Sequence, residues 1–199
     1  MLKNSLTKNI KLCLILFGVL SSYTEVTTAK TNAVENNSSL VPGHLRLMDN
    51  LDRDHDGYCL DIMGSGRHVR FDMPMTAHNC KPGLYHDEAV IIESEGTIRF
   101  PAYNACATVA GLNKKALAGS AIMPRGCGER SPFLEASNLQ KFVFHDNGQI
   151  ELSGSGLCLT VGNESESTFD DTHRWRALFM QHCDKAKLSH SQWIFKIPN

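Results

Sequence analysis

Three aspartates at alternating positions are the first side chains whose type and spacing indicate chemistry. Asp52, Asp54 and Asp56 precede Gly57, as in the first half of a calcium-binding loop, where alternate carboxylates converge on a hard cation. The twelfth position of such a loop is Met63 here, although a calcium loop needs a bidentate glutamate there. The sequence therefore leaves two interpretations open, a calcium site and a solvated turn that ends at the glycine.

The adjacent carboxylates of Asp87 and Glu88 are the second candidate group. Paired acids can catalyse glycoside hydrolysis, but neighbouring strand residues point to opposite faces, which does not suit that geometry. The chain contains no G-x-S-x-G nucleophile motif, no H-E-x-x-H zinc motif and no phosphate-binding loop, and its 9 histidines are scattered. We therefore expect a protein that is not an enzyme and that needs no cofactor or metal ion.

Six cysteines outside the N-terminal apolar run form the third group. They are arranged as three pairs whose members are 21, 21 and 25 residues apart. An even number of cysteines in an exported chain indicates disulfides, and no C-x-x-C spacing favours zinc. In each pair the first cysteine opens one strand and the second closes the next, so antiparallel pairing brings them together. The sequence predicts the disulfides Cys59–Cys80, Cys106–Cys127 and Cys158–Cys183.

The elements that position these residues belong to a unit that occurs three times. Each copy begins at a glycine and continues as two short segments in which apolar and polar residues alternate, which is typical of half-buried strands. The three glycines are Gly43, Gly96 and Gly148, which are 53 and 52 residues apart. This regular spacing predicts a closed body with threefold pseudosymmetry. The predicted repeats span residues 43–95, 96–147 and 148–199.

Further apolar segments complete four strands in each repeat. Residues 90–92, 142–144 and 193–195 are the predicted last strands of the three copies. In the first copy we also expect a strand over residues 68–71, and Pro74 then predicts an edge strand or a bulge before the second cysteine. Twelve strands and no segment of helical period predict an all-β fold.

The N-terminal segment predicts the compartment of the protein. Three lysines precede an apolar run over residues 12–20, as in a secretory signal peptide, which we expect to cover residues 1–29. The apolar run is too short to span a bilayer, so we expect a secreted or periplasmic protein. A polar leader over residues 30–42 precedes a single domain over residues 43–199. The formal net charge of −1 and the lack of a basic stripe predict no nucleic-acid partner.

The repeated unit resembles that of the ricin-type β-trefoil lectin family. In this family a C-x-D segment is followed by a second cysteine, a Q-x-W motif, and a turn glycine with an isoleucine. Cys59-Leu60-Asp61-Ile62, Gln140-Lys141-Phe142, Gly148-Gln149-Ile150 and Gln192-Trp193-Ile194-Phe195 are similar to these motifs. The resemblance covers residues 43–199 and implies a β-trefoil fold with non-catalytic carbohydrate binding.

The resemblance also implies which residues bind the sugar. The C-x-D carboxylate is present only in the first copy, as Asp61, and the position of the family's stacking ring is His78. The polar pair ahead of the last strand of that copy is Asp87 and Glu88. The implied site therefore consists of Asp61, His78, Asp87 and Glu88, and its implied ligand is galactose or N-acetylgalactosamine.

Two enlarged loops leave a second function open. They cover residues 52–56 and 162–175, and trefoils that bind proteins, such as protease inhibitors or the cell-binding subunits of toxins, use protruding loops of this kind. Trp175 lies between two arginines and can stack on a sugar ring as a secondary contact or anchor a protein. We therefore expect glycans or glycoproteins as partners, with a protein partner at these loops as the alternative.

Overall fold

The computed structural model describes residues 41–198 of the chain. The predicted signal peptide and most of the predicted leader therefore lie outside the described residues. Within residues 41–198, no helix is long and apolar enough to cross a membrane.

Four strands recur in each of three repeats, as the sequence predicts. The first repeat contributes β1 (His44–Leu47), β2 (Tyr58–Asp61), β3 (Thr76–Asn79) and β4 (Ile91–Ile92). The second contributes β5 (Ile98–Phe100), β6 (Ala105–Val109), β7 (Ile122–Gly126), β8 (Arg130–Ser131), β9 (Leu134–Glu135) and β10 (Phe142–Phe144). The third contributes β11 (Ile150–Leu152), β12 (Leu157–Val161), β13 (Glu166–Ser167), β14 (Arg174–His182) and β15 (Trp193–Lys196). The short strands β8, β9 and β13 belong to loops, and the two α-helices, α1 (Ala136–Leu139) and α2 (Leu188–Ser191), are single turns.

The first and last strands of the repeats form a closed six-stranded barrel. Antiparallel ladders join consecutive repeats through β4–β5, β10–β11 and β15–β1. Single bridges close the ring within each repeat, at Gly43–Val90, Thr97–Lys141 and Gln149–Gln192. The remaining pairs β2–β3, β6–β7 and β12–β14 are three equivalent hairpins. This arrangement is the β-trefoil that the sequence predicts.

Equivalent apolar residues of the three repeats form one core. Leu47, Phe100 and Leu152 occupy matching positions in β1, β5 and β11, and all three are buried in the same hydrophobic cluster. Burial of each such side chain stabilises the fold by roughly 1.5–3 kcal/mol relative to exposure. The turn before β5 needs Gly96, which has a φ of +82° and whose position leaves no room for a Cβ against the carbonyl of Phe142.

The three predicted disulfides are confirmed. The Cα atoms of Cys59 and Cys80 are 4.9 Å apart, and those of the other two pairs are 5.0 and 4.9 Å apart. Each disulfide joins the start of one hairpin strand to the segment that follows its partner strand. Each closes a loop of 21 to 25 residues, which contributes about 3 kcal/mol by restricting the unfolded chain.

Two details of the first repeat differ from the prediction. Residues 68–71 do not form a strand, because a 3-10 turn (Gly66–His68) and bends keep this segment outside the sheet. Gly64 and Gly66 have positive φ angles there, which favour a loop. The expected edge strand is also wrong: Pro74 precedes β3, which pairs with both β2 and β14 and so lies inside the sheet.

Candidate functional site

A cleft of about 550 Å³ lies between the first repeat and the β13–β14 loop of the third. The first repeat contributes three of the four predicted sugar-binding residues to it, Asp61, His78 and Asp87. The third repeat contributes aromatic side chains, among them Trp175. The structure thus places three of the predicted primary residues and the predicted secondary contact in one cleft, whereas the sequence treats them as separate features.

The polar end of the cleft is organised around the ammonium group of Lys81. Its Nζ donates to Oδ2 of Asp61 at 2.8 Å and to Oδ2 of Asp87 at 2.5 Å, and lies 3.5 Å from Oε1 of Glu88. The backbone N–H of Lys81 also donates to Oε2 of Glu88 at 3.1 Å. Lys81 follows Cys80, so the disulfide to Cys59 fixes the backbone from which the side chain extends. The family-type carboxylate of Asp61 is therefore ion-paired within the protein.

Burial decides which polar groups of this cluster a ligand can reach. The side chains of Asp61, Asp87 and Glu88 are 4%, 2% and 0% exposed, whereas that of Lys81 is 21% exposed. Glu88 does not line the cleft, whereas Asp61, Lys81 and Asp87 do. Lys81 is consequently the most exposed side chain of the cluster, and its ammonium group is paired with the carboxylates of Asp61 and Asp87.

The low solvation of the cluster changes its protonation. Burial raises the pKa of the Glu88 carboxyl to about 7, against the opposing effect of the Lys81 charge. Burial also raises the pKa of Asp61 well above its usual value, and Lys81 again opposes the shift. Oε1 of Glu88 has no hydrogen-bond partner among the described residues, which also disfavours its ionised form. One ammonium group and three carboxyls thus share a small volume in which protonation of Glu88 relieves the excess negative charge.

The apolar side of the cleft combines rings from two repeats. Trp175 of β14 is paired in register with His78 of β3, so their side chains are neighbours on one face of the sheet. The ring of His173 lies 6.3 Å from that of His78 and 6.2 Å from that of Phe169, measured between centroids. Burial, followed by the charges of Lys81 and His173, lowers the pKa of His78, although its contact with the carbonyl of Asn79 acts in the opposite direction. The neutral ring of His78 therefore persists below its usual pKa.

The aspartates of the calcium-like loop bind arginine side chains. Asp52 accepts from Nη2 of Arg176 at 2.6 Å and from the hydroxyl of Tyr58 at 2.7 Å. Burial alone would raise the pKa of Asp52, but these hydrogen bonds, with Arg176 first, lower it well below its usual value. Asp56 accepts from both Nε and Nη2 of Arg53, at 2.8 and 2.5 Å. Of the two interpretations of this loop, the arrangement favours the turn, because protein cations engage two of its three carboxylates.

This loop also positions the cleft. The guanidinium group of Arg53 donates to the carbonyls of Asp171 and Thr172, at 3.1 and 3.3 Å. Arg176 is buried and donates to the carbonyl of Gly162 at 2.9 Å. The insertion of the first repeat thereby holds the β13–β14 loop of the third repeat against the cleft.

Three side chains of this region have donor atoms of the kind that bind metal ions, and one such atom from each lies within 4.8 Å of the others. They are Asp61, His78 and Glu88. The ammonium group of Lys81 is 2.8 Å from Asp61 and 3.5 Å from Glu88, so a cation of the protein already faces two of these three groups.

The positions equivalent to Asp61 in the other repeats hold neutral threonines. The threonines that replace Asp61 are internally bonded: Thr108 donates to the carbonyl of Cys106 and accepts from Gln140, and Thr160 donates to the carbonyl of Cys158. Arg125 of the second repeat lies opposite the first cysteine of its hairpin, as His78 does. A smaller cleft of about 330 Å³ lies beside Thr108 and Arg125. The acceptor carboxylate is therefore specific to the first repeat among these three positions.

The sequence prediction missed Lys81, Phe169 and His173. A signal for Lys81 is present in the sequence. Buried carboxylates need a nearby cation, and this lysine directly follows the second cysteine of the repeat that contains the three acidic residues. No comparable pattern marks Phe169 or His173, because their position depends on how the third repeat folds onto the first.

Comparisons with known proteins agree with this architecture. A family model described as the ricin-type beta-trefoil lectin domain matches residues 50–193. The solution structure of the mdaA-1 domain is similar, with a TM-score of 0.56 and 20% identity over 78% of this chain and 90% of that chain. The agglutinin from Abrus precatorius gives a TM-score of 0.54 and 21% identity over 79% of this chain and 49% of that chain. Among curated proteins, none matches the sequence. At these identities the two structures show a shared fold.

Proposed function

Because the chain belongs to the ricin-type β-trefoil lectin family, a family of carbohydrate-binding domains, we propose that it binds glycans in the cleft between its first and third repeats. The observation that carries this proposal is the meeting of a buried carboxylate–ammonium cluster with the indole ring of Trp175 in one cleft. Proteins of this family are generally non-catalytic, and we propose the same for this chain.

The two sides of the cleft complement the two sides of a sugar. Sugar hydroxyls both donate and accept hydrogen bonds, so they can accept from the Lys81 ammonium group and donate to the carboxylates of Asp61 and Asp87. The apolar C–H face of the same ring can pack on the indole of Trp175.

We further propose galactose or N-acetylgalactosamine as the recognised sugar, on the family resemblance of Asp61. A single site with few exposed polar groups supports a dissociation constant on the order of millimolar, or about −4 kcal/mol. Useful avidity then requires several copies of the chain on one surface, or an oligomer. Three disulfides support an exported protein that meets glycans outside the cell.

Calorimetric titration of galactosides tests the proposal. Asp61→Asn and Trp175→Ala should each weaken binding at least tenfold, whereas Arg125→Ala, at the position of the second repeat that corresponds to His78, should leave it unchanged. Unchanged affinity in both cleft variants would move the site elsewhere. No binding of any sugar on a glycan array would instead favour the protein-binding alternative. The 88% exposure of Phe169 in the β13–β14 loop supports that alternative.

A further inference from the structure

An apolar groove of about 420 Å³ adjoins the proposed sugar cleft. The two cavities share Met63, Thr76 and Trp175, so Trp175 borders both. None of the residues that line the groove is charged. The groove is therefore a chemically distinct extension of the cleft rather than a second polar site.

The groove lies where strands of all three repeats meet. The N–H of Met75, just before β3, donates to the carbonyl of Ile122 in β7 at 2.8 Å. A bridge between Ala121 and Phe179 joins the second repeat to β14. Backbone contacts thus fix the walls of the groove, while Met63 and Met73 supply flexible thioether side chains at its surface.

We propose that the ligand is a glycoside with an alkyl aglycone, whose sugar occupies the cleft and whose alkyl chain occupies the groove. This inference rests on the proposed function, because it extends the same site. The three shared residues make the cavities adjacent, so one molecule can lie in both. A hydrocarbon chain needs no hydrogen bonds, and so it suits a groove that is lined by methionine, proline and phenylalanine.

The size of the expected effect follows from the apolar surface that is buried. Each methylene group removed from water contributes about 0.8 kcal/mol, which is about a fourfold gain in affinity. Burial of two to four methylenes would tighten binding roughly 15- to 200-fold.

Calorimetry with methyl and octyl β-galactoside, the latter below its micelle concentration, tests the inference. We expect octyl galactoside to bind at least tenfold more tightly than methyl galactoside. Met73→Gln in the groove should reduce that ratio several-fold, whereas Met48→Gln, an exposed methionine that does not line the groove, should not. Octyl β-glucoside measures how much affinity the alkyl chain gives without the preferred sugar.

The outcomes separate this inference from the proposed function. Equal affinities for methyl and octyl galactoside would overturn the aglycone site and leave the sugar site standing. Equal affinities for octyl galactoside and octyl glucoside would show a detergent-binding groove and overturn the inference. Failure of both galactosides to bind would remove the galactoside site on which the inference rests. Concentration-dependent dimers that Met73→Gln dissociates would assign the groove to a second copy of the chain.

Discussion

Trp175 lies directly opposite His78 in the β3–β14 ladder, although 97 residues separate them in the chain. The family pattern places the stacking ring two residues before the second cysteine of the same repeat, where this chain has a histidine. The structure places the larger ring of another repeat beside it. The proposed binding surface is therefore shared between the first and third repeats.

Replacement of Lys81 by methionine should destabilise the fold strongly. The change leaves the buried carboxyls of Asp61, Asp87 and Glu88 without their cation, and loss of one partner from a buried ion pair costs about 3–5 kcal/mol. Denaturant unfolding measures the effect, and Lys114→Met, at an exposed position, should change the free energy of unfolding by less than about 0.5 kcal/mol.

A second set of variants tests the same cluster. Addition of Asp61→Asn and Asp87→Asn to Lys81→Met should restore part of the lost stability, because it removes the uncompensated charges. A loss below about 1 kcal/mol for Lys81→Met alone would contradict the buried ion-pair assignment.

The free energy of unfolding should depend on the protonation of Glu88. Folding raises the pKa of this carboxyl from its usual value to about 7, so the folded state binds the proton more tightly than the unfolded chain. The resulting stabilisation is complete below the usual pKa of a glutamate and is lost as the pH rises through about 7.

Glu88→Gln cannot ionise and still offers an acceptor to the Lys81 N–H. Relative to the wild type, its stability should rise between pH 5 and pH 8 by on the order of 2 kcal/mol. Glu164→Gln, at an exposed position, should follow the wild type across this range. Parallel pH profiles for the wild type and Glu88→Gln would contradict the raised pKa.

The three disulfides should be equivalent for stability but not for binding. Removal of either Cys59–Cys80 or Cys106–Cys127 by paired alanine substitutions should cost about 3 kcal/mol in unfolding free energy. Lys81 directly follows Cys80 of the first disulfide. Among folded variants, therefore, only the one that lacks Cys59–Cys80 should bind galactosides more weakly. Equal sugar affinities of the two variants would show that the disulfide does not position the ammonium group.

Arg53 should matter for affinity more than for stability. Its guanidinium group holds the carbonyls of Asp171 and Thr172, and the loop that they belong to bears Phe169 and His173. Arg53→Met should weaken sugar binding roughly fivefold, because the loop must then be ordered at the moment of binding. Arg130→Met, at an exposed position of β8, is the matched control, and the same affinity in both variants would contradict a role for this tether.

The sequence predicts much of the fold because its signals are local and occur three times. The period of two in β1, β5 and β11 and the position of each cysteine at a strand end require only neighbouring residues for their interpretation. The segment 68–71 misleads for the same reason: its apolar residues resemble a strand, but Gly64 and Gly66 direct the chain away from the sheet.

The site is less predictable because it depends on contacts between distant segments. Lys81 pairs with a residue of β2 and with a loop before β4, so its partners meet only when the first repeat is folded. The contribution of Trp175 to the cleft depends on the β3–β14 register, which joins the first repeat to the third. A motif within one repeat contains no information about that second contact.

The two tryptophans of the chain allow the most direct test of the proposed cleft. Trp175 lines it, whereas Trp193 is buried in the core and donates its indole N–H to the carbonyl of Leu159 at 3.1 Å. In a titration with methyl galactoside followed by two-dimensional ¹⁵N–¹H NMR, the indole signal of Trp175 should shift saturably while that of Trp193 stays in place. A saturable response of residues around Thr108 or Thr160 with an unmoved Trp175 signal would contradict the assignment of the cleft.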